Sequence, residues 1–485
     1  MSHFYKHEDA KVVVLDQADV DFHINGTYAD EGMEERDDTE TFGSRICAED
    51  MAMLGALYSR SDLGAMGNIM TVKKRGSGSF METYYVGYGH GSIGKMGNVF
   101  LSFEGVSMLF AKELQDDGLY VGQETSTRYM NFLTRGYVTY ANRSDLEEHK
   151  FFARQYDIYK VALELKVAEL KEKYPFVEGE QTERFYENAI NARAFDTCRS
   201  LLPCGSRTLV CIYGSIETVK RVLNRMIGYG AKWPEVSTHA MTAYKRLQER
   251  YPHSFEELDM AVLSARTEKM VETRELLKEK MLYGRSVNTV TFTGDSAETN
   301  YLIERVAETY GEREAKEPLP PVLAIMGQVQ MTARVDFGGW RDIQRHRNGH
   351  SFAEIPHFNQ HAEFYQKSLP AEILASSNDT CKRAEQFYRD ITSFMSLDGE
   401  LALEQAYCVP MGHEVNIITS FPLDNAVYVA ELRSGYTVHP TVRAWAIELG
   451  TGLKNLFPAL KLFVNWDPYT KFSIKRGSQT IEEKK

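Results

Sequence analysis

The sequence has no positive charge surplus. Its 56 Lys+Arg face 68 Asp+Glu, for a formal net charge of −12. A chain of that balance offers no general basic surface to duplex nucleic acid, although a local basic pocket is compatible with it. No apolar run approaches the ~20 residues of a membrane span. The first ten residues, Met1 to Ala10, are polar and charged, so no signal peptide and no membrane association are expected. Cysteines are few, six in 485 residues at 47, 198, 204, 211, 381 and 408, and none forms a CxxC pair. That scatter points to free thiols in a reducing, cytoplasmic setting and gives no metal site. What remains is 43% hydrophobic and 26% charged, as in an ordinary globular protein with room for two or three domains.

The hydrophobic pattern repeats. Val99 to Phe103 reads as a strand, followed by a helical pattern through Val106, Leu109, Phe110 and Leu114. Val329, Met331, Ala333 and Val335 alternate at period two, and Asp336 is placed to cap a helix running towards Arg345. Each unit leads to a long amphipathic helix. The first carries Phe152, Tyr156, Tyr159, Leu163 and Leu170; the second carries Ala384, Phe387, Tyr388, Ile391 and Phe394. Leu202-Pro203 precedes Arg225 by 22 residues (225 − 203), and Val409-Pro410 precedes Arg433 by 23 (433 − 410). Between these markers lie strand-like runs at Thr208 to Tyr213 and Val415 to Ser420. The pattern predicts an acidic N-terminal arm over 1–45 with a surface loop from Asp30 to Glu40. Two domains, 46–265 and 266–475, and a polar tail over 476–485 follow. A Lys/Glu-rich helical region near 255–285 joins the domains.

Two polar strings carry chemistry. Glu124-Thr125-Ser126-Thr127-Arg128, if extended, puts Glu124, Ser126 and Arg128 on one face. A hydroxyl and a guanidinium so spaced grip one phosphate, and the glutamate takes a sugar hydroxyl or ring N–H. A solvated strand edge has the same pattern. Arg345-His346-Arg347 reads as a helix end whose side chains fan out by about 100° each, suiting a large anionic ligand. Positive charge at a helix C-terminus also needs no ligand.

These strings, in this order, resemble the flavin-dependent thymidylate synthases. The first half has Gly89-His90-Gly91-Ser92, Glu124-x-Ser126-x-Arg128 and Arg199-Ser200-Leu201-Leu202-Pro203; the second has Arg345-His346-Arg347 and Glu431-Leu432-Arg433. The halves differ from the family in complementary ways. Asp116-Asp117-Gly118 stands at the Arg-His-Arg position of the first. Ile355-Pro356-His357 stands at the Ser-x-Arg position of the second, and Ala406 replaces the arginine before its Pro410. The resemblance implies an α+β fold, two tandem copies of a β-sheet flanked by long helices. It also implies FAD-dependent methylation of dUMP at C5, with methylenetetrahydrofolate and NADPH as co-substrates. On that resemblance Glu124, Ser126, Arg128 and Arg199 bind the nucleotide, Arg433 acts on the uracil, and Arg345, His346, Arg347, His90 and Ser92 contact FAD. It further implies a homodimer that mimics the family's tetramer. A flavoenzyme for another pyrimidine nucleotide and a non-catalytic nucleotide-binding protein are the alternatives.

Overall fold

The computed structural model describes residues 11–15, 47–58, 61, 64–140, 146–179, 182–282, 288–310, 313–394, 403–467, 473–476 and 479–482. The Asp30 to Glu40 loop lies outside them. The chain forms two compact units. The first comprises 1–106, 110–125 and 207–271, and the second 107–109, 126–206 and 272–485. The first repeat of the sequence therefore contributes to both units.

The first unit holds a four-stranded sheet of β1 (Lys11–Leu15), β2 (Asn98–Ser107), β3 (Val121–Glu124) and β4 (Arg207–Ser215), in the order β1-β2-β4-β3. Period-two alternation buries Val99, Leu101 and Phe103 from β2, and Val210 and Ile212 from β4. Ser215 ends β4 and caps the next helix, Ile216–Ile227, its hydroxyl accepting from the Thr218 amide at 3.2 Å. That helix buries Val219, Val222, Leu223 and Met226. Each aliphatic chain of this kind stabilises by about 1.5–3 kcal/mol.

The second unit holds β5 (Thr289–Phe292), β6 (Gln328–Asp336), β7 (His350–Ala353) and β8 (Glu414–Pro422), in the order β5-β6-β8-β7. The order repeats that of the first sheet strand for strand. The predicted alternation is present, with Val329, Met331, Ala333 and Val335 all buried. Asp336 caps the following helix, Phe337–Ile343, by accepting from the Gly339 amide. Both long helices are where periodicity predicts them, at Leu146–Lys173 and Ala371–Phe394, and both belong to this unit. They pack on each other through Phe151 and Phe387, with ring centroids 5.5 Å apart. Gln155 Nε2 donates to Ser377 Oγ at 2.9 Å, and the Tyr388 hydroxyl donates to Glu148 Oε1 at 3.0 Å. The Lys/Glu-rich region forms the Met260–Leu282 helix, and strands Ser473–Arg476 and Gln479–Glu482 pair as an antiparallel ladder.

The two proline markers meet inside the second unit, where Pro203 opposes Pro410 in an antiparallel bridge. The Cys204 amide donates to the Val409 carbonyl and the Met411 amide to the Leu202 carbonyl, both at 2.8 Å. The Gly205 amide donates to the Tyr407 carbonyl at 2.8 Å and the Gly412 amide to the Ser200 carbonyl at 2.9 Å. Adding 207 to each first-repeat number gives its counterpart: 204 and 411, 202 and 409, 205 and 412, 200 and 407. The bonding is thus that of a local two-fold axis. Backbones come so close there that side chains are excluded at both glycines. A Cβ on Gly205 would lie 2.6 Å from the Val138 carbonyl oxygen, and one on Gly412 would lie 2.4 Å from Ser200 Cβ.

Candidate functional site

The elements that meet at this axis also bring arginines together. Arg199 follows the Glu183–Cys198 helix and is buried. Its Nη1 lies 3.7 Å from the Asp342 carboxylate, so a first-repeat guanidinium faces a second-repeat acid within one unit of one chain. Burial pushes the Asp342 carboxyl up, but the guanidiniums of Arg199, Arg345, Arg128 and Arg433 outweigh it and hold the group well below the usual carboxylate range. Asp342 is therefore an anion ringed by four cations, two from each repeat. Arg199 Nε and Nη2 are buried without a hydrogen-bond partner among the described residues. A cluster so rich in guanidinium, with unmet donors, is chemically suited to an anion.

Arg128 is held from one side. Its Nε and Nη2 donate to both oxygens of Asp196 at 2.6 and 2.9 Å, a bidentate pair, and Nη2 also reaches the Thr437 carbonyl at 3.4 Å. The extended reading of 124–128 is corrected here. β3 stops at Glu124, and Thr127 to Tyr129 form a turn. The Ser126 hydroxyl accepts from the Arg128 amide at 3.2 Å, a local bond that competes with the strand ladder. Glu124 is committed elsewhere. In the first unit its carboxylate takes Lys112 Nζ and Gln115 Nε2, each at 2.9 Å.

Arg345, His346 and Arg347 are not on a helix. The helix ends at Ile343; Arg345 lies in the turn that follows, and His346 and Arg347 in the irregular segment beyond it. Arg345 is exposed, its Nη1 3.9 Å from Asp342. His346 Nε2 accepts from Arg433 Nε at 2.7 Å, and Arg433 Nη2 donates to the Asp342 carbonyl at 3.2 Å. Burial, reinforced by Arg433, pushes the His346 imidazole down to about 3, so it is the neutral acceptor of that bond. Arg433 closes the Leu423–Arg433 helix. The adjacent Glu431 is structural: it binds Arg313 through both oxygens at 2.6 and 3.1 Å and accepts from the Lys316 amide.

His90 and Ser92 belong to the first unit, where both are exposed. Gly89 takes φ +67° to make their loop, a conformation that favours glycine. Several neighbours of the cluster were not singled out by sequence reasoning: Asp196, Asp342, Tyr365 and His439. The signals available were the Asp196-x-x-Arg199 spacing and the His439-Pro440 pair at the start of the Pro440–Leu456 helix. The Tyr365 hydroxyl donates to Asp336 Oδ2 at 2.9 Å, and His439 Nε2 lies 3.1 Å from the Asp196 carbonyl. Burial pushes the Asp336 carboxyl up and holds His439 well below the usual histidine range.

All six cysteines are free, with Cys198, Cys204, Cys381 and Cys408 buried. Among the described residues, no helix is long and apolar enough to cross a membrane.

Fold and cluster together define an α+β protein with two copies of one sheet topology and an arginine-rich centre drawn from both. Residues 45–253 are similar to the family described as Thymidylate synthase complementing protein, whose model matches that stretch. The chain is similar along most of its length to a UPF0159 protein of Chlamydia muridarum (strain MoPn / Nigg), at 22% identity over 447 residues, 82% of each chain. A UPF0159 protein of Chlamydia pneumoniae is 20% identical over 449 residues, 83% of each chain.

Proposed function

We propose that the chain is a thymidylate synthase-type flavoenzyme that methylates dUMP at C5, with methylenetetrahydrofolate and NADPH as co-substrates. The observation that carries this reading is the convergence on Asp342 of Arg128 and Arg199 from the first repeat with Arg345 and Arg433 from the second. In this reading the motifs missing from each half are supplied by the other. Ser126 and Arg128 bind the phosphate, with Asp196 orienting the Arg128 fork and Arg199 adding charge from beneath. Arg433, steadied by neutral His346, stabilises negative charge developing on a uracil carbonyl. The donor set of Arg345, His346 and Arg347 fits a large anionic cofactor, and in this reading these three residues hold FAD. The flavin supplies the redox chemistry when bound.

The departures at Asp116-Asp117-Gly118 and Ile355-Pro356-His357 motivate a second reading, a related flavoenzyme acting on a pyrimidine nucleotide other than dUMP. The test is an absorbance spectrum of the pure protein, followed by turnover with dUMP and other pyrimidine nucleotides. Flavin absorbance and dTMP formation support the first reading. Flavin absorbance with turnover of another nucleotide supports the second, and a colourless, inactive protein overturns both. The assembly proposed is a homodimer of two such chains, checked by sedimentation velocity.

A further inference from the structure

The first unit contains a cavity of about 530 Å³, a size in the range of small-molecule sites. All its lining residues belong to that unit. It lies where the first repeat carries its own counterpart of the arginine cluster. Arg225 there corresponds to Arg433, but it is bound to Glu113, its Nε donating to Oε1 at 2.9 Å. Arg221 is bound in the same way to both oxygens of Asp117 at 2.8 and 3.0 Å. Acids thus neutralise these two guanidiniums. Lys220 is paired with Glu256, and the Tyr85 hydroxyl donates to Glu217 at 2.8 Å. Arg266, by contrast, lines the cavity, is exposed, and makes no ion pair among the described residues. Asn224 also lines it, and its side-chain oxygen has no hydrogen-bond partner there. Val86, Leu263 and Met270 give the same cavity an apolar lining. The segment entering it, Met81–Gly87, winds as a π-helix, a form that recurs at functional sites.

We propose that this cavity is a second, non-redox binding site for a mononucleotide-class ligand. The phosphate pairs with Arg266, a sugar hydroxyl or ring amine donates to Asn224, and the base lies against Val86, Leu263 and Met270. One anion contact, one unmet acceptor and one apolar surface are the three features that such a ligand satisfies together. The paired state of Arg221 and Arg225 makes the site different in charge from the cluster around Asp342. The inference does not depend on the activity proposed for that cluster.

The test is calorimetric titration of the full chain with ADP and with dTMP, a purine and a pyrimidine probe. It is run in an Arg128→Ala background so that the other cluster contributes little. The expected result is a single equivalent of one probe bound per chain. Arg266→Glu should weaken that binding by about tenfold or more, since it replaces a charge-assisted contact by repulsion. Met270→Trp, which fills the cavity, should weaken it as well, with the far-UV circular dichroism of both variants unchanged. The proposal is overturned if neither probe binds more tightly than about 1 mM. It is equally overturned if a probe binds and neither substitution alters its affinity. Binding here together with a wild-type chain that does not turn over dUMP leaves this site standing and overturns only the proposed reaction.

Discussion

Arg433 donates from Nε to Nε2 of His346 at 2.7 Å, and its Nη2 reaches the Asp342 carbonyl at 3.2 Å. The guanidinium is thus aimed by two acceptors at once. Arg433→Lys keeps the charge but cannot reproduce that two-point hold, because an ammonium has no planar fork. If this arginine stabilises charge on the pyrimidine, the lysine variant should lose roughly 10²-fold or more in turnover number with substrate affinity little changed. Steady-state kinetics decide the matter, and full turnover in the variant removes the assigned role.

The buried histidines set a pH dependence of stability. Burial pushes His346 down to about 3 and His361 to about 4, and holds His413 and His439 well below the usual range. Each is neutral when folded and takes up a proton near pH 6.5 when unfolded. Between about pH 6.5 and 4 the unfolded chain binds more protons, so stability falls as pH falls. The slope should approach about 1.4 kcal/mol per pH unit for each such group. Urea denaturation at pH 7.5 and pH 5 should show a clear loss at the lower pH. Equal midpoints would mean these imidazoles are not buried neutral.

Arg345 and Arg347 are assigned to the flavin. Replacing each with alanine should cost about 1.5–3 kcal/mol of cofactor binding. The double variant should therefore purify with little or no flavin. Retention of the wild-type flavin-to-protein ratio would refute the assignment.

Arg128 and Arg345 both act on the same Asp342 carboxylate within one unit of one chain. Arg128→Ala and Arg345→Ala chains should each be inactive. Refolded mixtures should also stay inactive, because no chain in them carries both residues. Recovery of a substantial fraction of activity on mixing would show that the working site crosses between chains.

Much of the fold could be read from hydrophobic period. β2, β6, β8 and the two long helices carry alternations or heptad-like stripes that survive into the structure because one face of each is buried. The equivalence of the two sheets was visible in the spacing of Pro203 to Arg225 and Pro410 to Arg433. The polar strings were harder. Ser126 turned the chain out of its strand with a single local hydrogen bond, and the helix before Arg345 is only seven residues long. The partners that shape the cluster were harder still. Asp196 is 68 residues from Arg128 in sequence, and no periodic signal links a carboxylate to a guanidinium at that distance. Only tertiary packing does.

Gly205 and Gly412 offer a matched pair of stability tests. A methyl group at 205 meets the Val138 carbonyl, and at 412 it meets Ser200. Alanine at either should destabilise by roughly 1–3 kcal/mol, as overpacking does. A loss under about 0.5 kcal/mol at both would mean the backbones there separate easily.

The crossing of Pro203 with Pro410 has a consequence for stoichiometry. Its four hydrogen bonds join two copies that no longer carry the same side chains. As free subunits, two such unlike copies would face a sorting problem, since identical backbones at the crossing would let like pair with like. A peptide linkage removes it. The ratio is fixed at one to one by translation, and the effective concentration of each copy for the other is set by the tether rather than by expression. Divergence between the copies is then free of the demand that either one recognise itself.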